Sequence, residues 1–123
     1  ASVVTTVIGH QATTGRLVID AGGLALSKDR STAVFGGADD VGFGALAGVD
    51  GRRIPELWLA DAYQEHGMVA SRSGAVEFER YAIGSRLRVL PNHACMTCSA
   101  YDSYAVCDGS NVVDSWERIH EWR

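Results

Sequence analysis

The sequence predicts a single, mainly β domain over residues 1–123, either a small barrel or a sandwich, with one or two short helices. Short segments rich in β-branched residues, or alternating between apolar and charged residues, recur along the chain. Gly, Asp and Ser separate these segments at short intervals, as in a fold of strands joined by tight turns. The length of 123 residues, 46% of them hydrophobic, suits one packed core and leaves no room for two sizeable ones.

The first half of the chain contains two strand patterns and one irregular stretch. Residues 3–8 are rich in Val and Thr and contain no breaker, which favours a strand. Residues 16–19 predict a second strand, which Asp20 and the glycines after it end sharply. Residues 36–53 are rich in glycine and aspartate and show little apolar periodicity, so we predict a long irregular loop there.

The second half predicts strands mainly from alternation of apolar and charged side chains, the pattern of a half-buried strand. Glycine-containing turns separate these segments, and Asp108-Gly109 is a strong turn signal for a closing hairpin. The predicted strands are two within residues 56–70 on either side of a turn at 64–67, one at 76–81, one at 86–90, and a final hairpin formed by 104–106 and 112–116.

Composition excludes several classes of partner. The chain carries 15 acidic and 11 basic residues, a net charge of −4, which argues against binding to nucleic acid or an anionic membrane. No apolar run approaches the roughly 20 residues that span a bilayer, and no secretory signal is visible. The odd, clustered set of three cysteines is unlike a disulfide framework, so we expect a reduced, cytoplasmic setting. Because the chain begins at Ala1, we expect a processed or excised piece of a longer protein.

The densest cluster of reactive side chains follows the strand predicted at 86–90. Pro91 ends that strand, and in an extended chain His93 and Cys95 would point to the same face, with Cα atoms roughly 6.5 Å apart. A single metal ion bridges such a gap, at about 2.0 Å from imidazole nitrogen and 2.3 Å from thiolate sulfur. This pair of donors suits zinc better than magnesium or calcium. Two protein ligands leave positions open for water or substrate, as in catalytic sites.

Spacing alone leaves other interpretations of this cluster open. A packed histidine beside buried thiols is the simpler one, and for Cys107 we expect a buried, inert thiol. A structural zinc site would need further ligands, and Cys98 would be one if residues 95–98 form a turn. The Cys95-x-x-Cys98 spacing is also typical of redox pairs, although no thioredoxin-like βαβ pattern surrounds it.

Several segments, in order and over nearly the whole chain, resemble the C-terminal domain of the D-serine dehydratase and D-threonine aldolase family. The most specific is Pro-Asn-His-Ala-Cys-Met-Thr at residues 91–97, which follows the Gly-x-Arg-Leu pattern at 84–87. The other segments are less specific on their own, but their order along the chain strengthens the resemblance. They are Leu-Val-Ile-Asp-Ala-Gly at 17–22, Ala-Leu-Ser at 25–27 with Asp29, Glu-His-Gly at 65–67, and residues 108–116.

The resemblance implies a pyridoxal-phosphate enzyme of the alanine-racemase-like fold. In this family an N-terminal (β/α)₈ barrel carries the cofactor lysine, and a C-terminal β domain covers the active site. The resemblance also implies that His93 and Cys95 bind a divalent metal. Dehydratases pair the histidine with cysteine and zinc, whereas aldolases usually pair it with aspartate and manganese or a similar ion, so Cys95 favours zinc. The barrel is absent, and Lys28, the single lysine, lies in a polar turn and is not expected to hold the cofactor.

We therefore expect the metal-binding domain of a pyridoxal-phosphate-dependent lyase that dehydrates D-serine or cleaves D-threonine, inactive without its barrel. The expected partners are an N-terminal or separate barrel, a small D-amino acid, and a second copy in the full-length form. His66 is a candidate catalytic group, with a hydrogen-bonded turn histidine as the alternative, and Tyr101 and Asp102 are candidate partners of His93. The alternatives are a non-catalytic β domain with a structural zinc, and a stand-alone binding module.

Overall fold

The computed structural model describes residues 1–119, in which six strands close into a barrel and two more form a separate hairpin. This confirms the prediction of a mainly β fold with short helices. None of the helices in this range is long and apolar enough to cross a membrane. The strands are β1 (Val3–Gln11), β2 (Arg16–Ile19), β3 (Gly44–Ala47), β4 (Arg53–Ala62), β5 (Gly67–Ser71), β6 (Arg86–Pro91), β7 (Ser103–Asp108) and β8 (Asn111–Glu117). The helices are α1 (Gly23–Leu26) and α2 (Ala94–Cys98), with 3₁₀ turns at Ser31–Val34, Gly37–Asp39 and Phe78–Arg80.

The barrel has the strand order β1-β2-β5-β4-β3-β6, and every neighbouring pair is antiparallel. Strand β6 closes it, because one edge pairs with β3 and the other with β1. Along β6, Leu87 and Val89 point into the core while Arg86 and Arg88 face outward, the period-two pattern that the sequence predicts. The largest fully buried aliphatic side chains are Val7, Leu17, Ile19, Leu26, Leu46, Leu57, Leu59, Val69 and Val89.

Strand β3 corrects the prediction of an irregular loop over residues 36–53. All four of its residues are buried, so the strand shows no alternation of polar and apolar side chains. Its small residues are required by close packing, because a Cβ on Gly44 would lie 2.6 Å from Val89 Cγ1 and 2.8 Å from the Leu90 carbonyl oxygen. Glycine and alanine here indicate a crowded strand rather than a loop.

The strand predicted at residues 76–81 is also wrong, although its alternation is real. Val76 is buried and Phe78 half-buried, but the segment forms a 3₁₀ turn rather than a strand. Phe78 stacks on the His10 ring, with 4.5 Å between the ring centroids. The barrel closes without this segment, so the alternation records side-chain burial against the barrel and not strand pairing.

Candidate metal site

The residues that follow β6 form α2, which overturns the extended geometry assumed for His93 and Cys95. His93 precedes the first turn of α2 with φ −122° and ψ 88°, and Cys95 lies within that turn. The alternation that would place both side chains on one face therefore does not apply. Thr97 explains the bend, because its buried hydroxyl donates to the Leu26 carbonyl and lies 3.1 Å from the His93 carbonyl oxygen.

His93 contacts a carboxylate that sequence reasoning did not assign to it. Its Nδ1 atom lies 3.3 Å from Asp29 Oδ2, which leaves Nε2 available to a ligand. The Asp29 side chain is only 19% exposed, and its other oxygen accepts the Ser31 backbone N–H at 2.8 Å. Histidines that bind metals characteristically donate their second ring N–H to such an oxygen.

A network of side-chain to backbone hydrogen bonds fixes the Asp29 loop beside α2. The Asn92 amide donates to the carbonyl oxygens of Asp29 at 3.1 Å and of Gly42 at 2.7 Å. The Ser27 hydroxyl accepts the Asp29 N–H at 3.3 Å, and Ser27 itself has a φ of 106°. Three distant segments thus meet around His93, which explains why spacing along the sequence gives no signal for Asp29 beyond its place in the resemblance.

Tyr101 forms its side-chain hydrogen bond with α1 rather than with His93. Its hydroxyl donates to the Ala25 carbonyl at 2.8 Å. Burial raises the pKa of this hydroxyl above its usual range, and Cys98 raises the same pKa further, so the group stays a protonated donor at neutral pH. Asp102, the other expected partner, accepts the Arg118 backbone N–H at its carbonyl, at 2.8 Å. The carboxylate that meets His93 is Asp29.

The three cysteines are all free thiols and differ in exposure. Cys95 is exposed, Cys98 is half-buried, and Cys107 is exposed, so the expectation of a buried Cys107 is wrong. Cys107 lies near the end of β7, in a hairpin whose strands pair only with each other in the described range. Within residues 1–119, no three or more His, Cys, Asp or Glu side chains come together as a metal-binding group. The assignment of His93 and Cys95 as metal ligands therefore stays a prediction.

His66 lies in the turn between β4 and β5. Its ring stacks on Tyr63 with 4.7 Å between centroids, and its carbonyl accepts the Tyr63 N–H at 2.9 Å. Gly22 packs against this turn so closely that a Cβ there would lie 2.6 Å from the His66 nitrogen. These contacts give His66 a packing role, and its catalytic role stays a prediction.

Comparison with known proteins identifies the family of this chain. Residues 1–107 match the family model described as "Putative serine dehydratase domain", and the chain belongs to this family. It is 44% identical over 124 residues to D-threo-3-hydroxyaspartate dehydratase of Delftia sp. (strain HT23), covering 98% of this chain and 32% of that protein. It is 26% identical over 122 residues to D-serine dehydratase of Dictyostelium discoideum, covering 98% of this chain and 30% of that protein. The chain thus spans about a third of the length of these relatives.

Solved structures give the same result. The Delftia dehydratase superposes with a TM-score of 0.83 at 45% identity, covering 98% of this chain and 32% of that chain. Two further structures of that enzyme are single mutants, one with a cysteine replaced by alanine in the metal-free form and one with a histidine replaced by alanine. The two mutated residues are two positions apart in that enzyme. An alanine-racemase-like protein of Idiomarina loihiensis superposes with a TM-score of 0.84 at 39% identity, covering 98% of this chain and 32% of that chain.

Proposed function

We propose that this chain is the C-terminal, metal-binding domain of a pyridoxal-phosphate-dependent lyase that dehydrates a β-hydroxy D-amino acid. The observation that carries the proposal is the arrangement at the start of α2. There His93 is oriented by Asp29, and Cys95 follows two residues later. Dehydration is favoured over retro-aldol cleavage because Cys95 is a soft donor that suits zinc, and because the named relatives are dehydratases.

The spacing of the two donors supports this assignment. His93 and Cys95 are the one place in the sequence where a cysteine follows a histidine at a distance of two positions. The histidine and cysteine replaced in the mutants of the Delftia dehydratase have the same spacing, and the cysteine mutant is the metal-free form. We therefore assign the metal ligands of this chain to His93 and Cys95.

The residues present fit a zinc ion. Imidazole nitrogen and thiolate sulfur are preferred zinc donors, and with two protein ligands the remaining positions are open to solvent or substrate. Asp29 would hold the proton of His93 on Nδ1 and keep Nε2 directed to the metal. Zinc bound there would supply Lewis-acid chemistry at the β-hydroxyl oxygen of the substrate. Manganese is the less suited alternative, because it prefers oxygen ligands.

The chain does not fit pyridoxal phosphate. Lys28 is its single lysine and is exposed, with Nζ 5.8 Å from the centroid of the Phe43 ring. A lysine that forms a Schiff base is normally enclosed in a pocket with its cofactor, whereas Lys28 is exposed to solvent. We therefore assign the cofactor to a barrel domain, either part of the same protein or a separate chain.

The proposal predicts that the purified chain binds zinc but has no lyase activity. We expect no ammonia or α-keto acid when it is incubated with pyridoxal phosphate, zinc and either D-serine or D-threo-3-hydroxyaspartate. The Delftia dehydratase under the same conditions is the positive control. Steady ammonia release by the chain alone would overturn the assignment of the cofactor to a separate barrel domain. Failure of the reduced chain to bind zinc would overturn the metal assignment separately.

A second candidate is a domain that works without a fused barrel. An uncharacterised protein of Mycobacterium tuberculosis (strain ATCC 25618 / H37Rv) is 32% identical over 102 residues, and the match covers 66% of that protein. Because 102 residues already make up 66% of that protein, little of its length is left for a barrel domain. The second candidate is therefore an independent binding module. Adding a separate barrel chain to the purified domain discriminates the two candidates. A lyase domain should then release ammonia from the substrate, whereas a binding module should not.

Asp29→Asn should weaken zinc binding by about 10- to 100-fold, the usual cost of losing the oxygen partner of a ligating histidine. Asparagine keeps the size of the side chain but removes the charge facing His93 Nδ1. Competition with a chromophoric zinc chelator measures the change. Asp50→Asn is the matched control, because Asp50 accepts the Arg52 N–H within the turn between β3 and β4. Equal zinc affinity in the two variants would exclude Asp29 as the partner of His93.

A further inference from the structure

Cys95 and Cys98 lie one turn apart on the same short helix, and both thiols are free. Residues three apart on an α-helix are neighbours on its surface, with Cα atoms about 5 Å apart from the helical rise and radius. Disulfides join residues whose Cα atoms are roughly 4.4–6.8 Å apart. The backbone of α2 therefore already places the two cysteines at a distance that a disulfide can span.

Closing this pair requires a local change in α2. A disulfide needs Cβ atoms about 3.5–4.5 Å apart instead of the roughly 5–6 Å of an α-helix. Cys95 lies in the first turn of this five-residue helix, and unwinding that turn would let its side chain approach Cys98. Short terminal segments of this kind open locally at lower free energy than core strands do.

Hydrogen bonds to the rest of the fold hold the middle and the end of α2 in place during such a change. The buried Thr97 hydroxyl ties the middle of α2 to the Leu26 carbonyl, and the Tyr104 hydroxyl donates to the Cys98 carbonyl at 3.0 Å. Cys95 is exposed and open to attack by a small oxidant, whereas Cys98 is half-buried at the edge of a cleft of about 820 Å³ under the hairpin. Cys107 lines the same cleft, so it is the competing partner that the test has to exclude.

We propose that Cys95 and Cys98 are a reversible disulfide site. With oxidised glutathione as oxidant, the Cys95 thiolate forms a mixed disulfide and releases one glutathione thiolate. The Cys98 thiolate then attacks the Cys95 sulfur and displaces the second. Two thiol protons and two electrons leave the protein, and one oxidised glutathione becomes two reduced glutathione molecules. Because the bond requires α2 to distort, it should be readily reduced, as strained disulfides are.

This modification would act on the metal site, an inference that rests on the proposed function. A sulfur in a disulfide is no longer a thiolate and is not a zinc ligand. Zinc binding and disulfide formation therefore compete for Cys95. By linkage, zinc must protect the pair from oxidation by the same factor by which oxidation weakens zinc binding.

The first experiment tests the disulfide without metal. The chelator-treated chain is equilibrated with excess oxidised glutathione, the remaining thiols are alkylated, and the intact mass is measured. We expect a monomer with one internal disulfide and with Cys107 either alkylated or joined to glutathione, restored to three alkylated thiols by excess reduced glutathione. Cys107→Ser should form the same disulfide, and Cys98→Ser should not. A disulfide that is lost in Cys107→Ser, or no disulfide at all, would overturn the proposal whatever the metal does.

The second experiment tests the link to zinc. Saturating zinc should slow disulfide formation by at least tenfold in wild type, and the oxidised chain should retain less than a tenth of the zinc that the reduced chain binds. Cys98→Ser should keep its zinc after the same treatment and after removal of any mixed disulfide. Zinc that binds the reduced chain without protecting Cys95 would contradict the competition. A reduced chain that binds no zinc would contradict the proposed metal site and leave the first result standing.

Discussion

Zinc binding by the reduced chain should fall by more than about 100-fold in Cys95→Ala, beyond the 10- to 100-fold that losing an outer partner of a ligand costs. Cys95 is exposed, and its thiolate is the softer of the two donors that the chain offers. Removing it leaves His93 as a single ligand. Because Cys95 is exposed, the barrel should lose little free energy of unfolding without zinc. The effect is therefore expected in affinity, not in folding.

Isothermal titration of reduced, chelator-treated protein with zinc measures this change. Cys107→Ala is the matched control, since it removes another exposed thiol, in the hairpin, and should bind zinc as wild type does. Thermal melting of both variants without metal checks that the barrel is intact. A Cys95→Ala variant that binds zinc within a few-fold of the control would show that the metal has other ligands.

Leu46→Ala should lower the free energy of unfolding by about 3 kcal/mol, within the 2–5 kcal/mol typical of truncating a buried leucine. Leu46 is 0% exposed in β3, between β4 and β6 in a closed barrel that has little freedom to collapse around a cavity. Urea unfolding monitored by circular dichroism measures the loss. Leu24→Ala is the matched control, because Leu24 is 66% exposed and should change stability by no more than about 0.5 kcal/mol. Equal losses in the two variants would contradict the placement of β3 inside the barrel.

The barrel was predictable from sequence where its strands are half-buried. Residues 16–19 and 86–90 show period-two alternation or β-branched residues, and both form strands. The pattern failed at β3, which is buried on every residue, and at Val76 and Phe78, which alternate in burial without pairing. Alternation reports which side chains are buried, and it identifies a strand only when a neighbouring strand is there to pair with.

The candidate site was likewise only partly predictable from the sequence. His93 and Cys95 stand out in the sequence because two metal-binding residue types lie close together. Asp29 does not, because its contact with His93 depends on a loop that is brought to α2 by the Asn92 amide. The helical turn at Cys95 also depends on a distant group, the Leu26 carbonyl that accepts the Thr97 hydroxyl. Contacts between residues so far apart in the sequence form only once the barrel has folded.

The position of β6 predicts different local stabilities on the two sides of His93. Both edges of β6 are paired, with β1 and with β3, so its backbone amides should open to solvent only when the whole barrel unfolds. The five-residue α2 that follows pairs with no strand and is held by a few side-chain hydrogen bonds, so we expect it to open locally at lower free energy. His93 stands at the boundary between the two. We therefore expect slow hydrogen exchange in the strand before His93 and faster exchange in the segment that carries the two thiols, so that oxidation of Cys95 and Cys98 should leave the barrel folded.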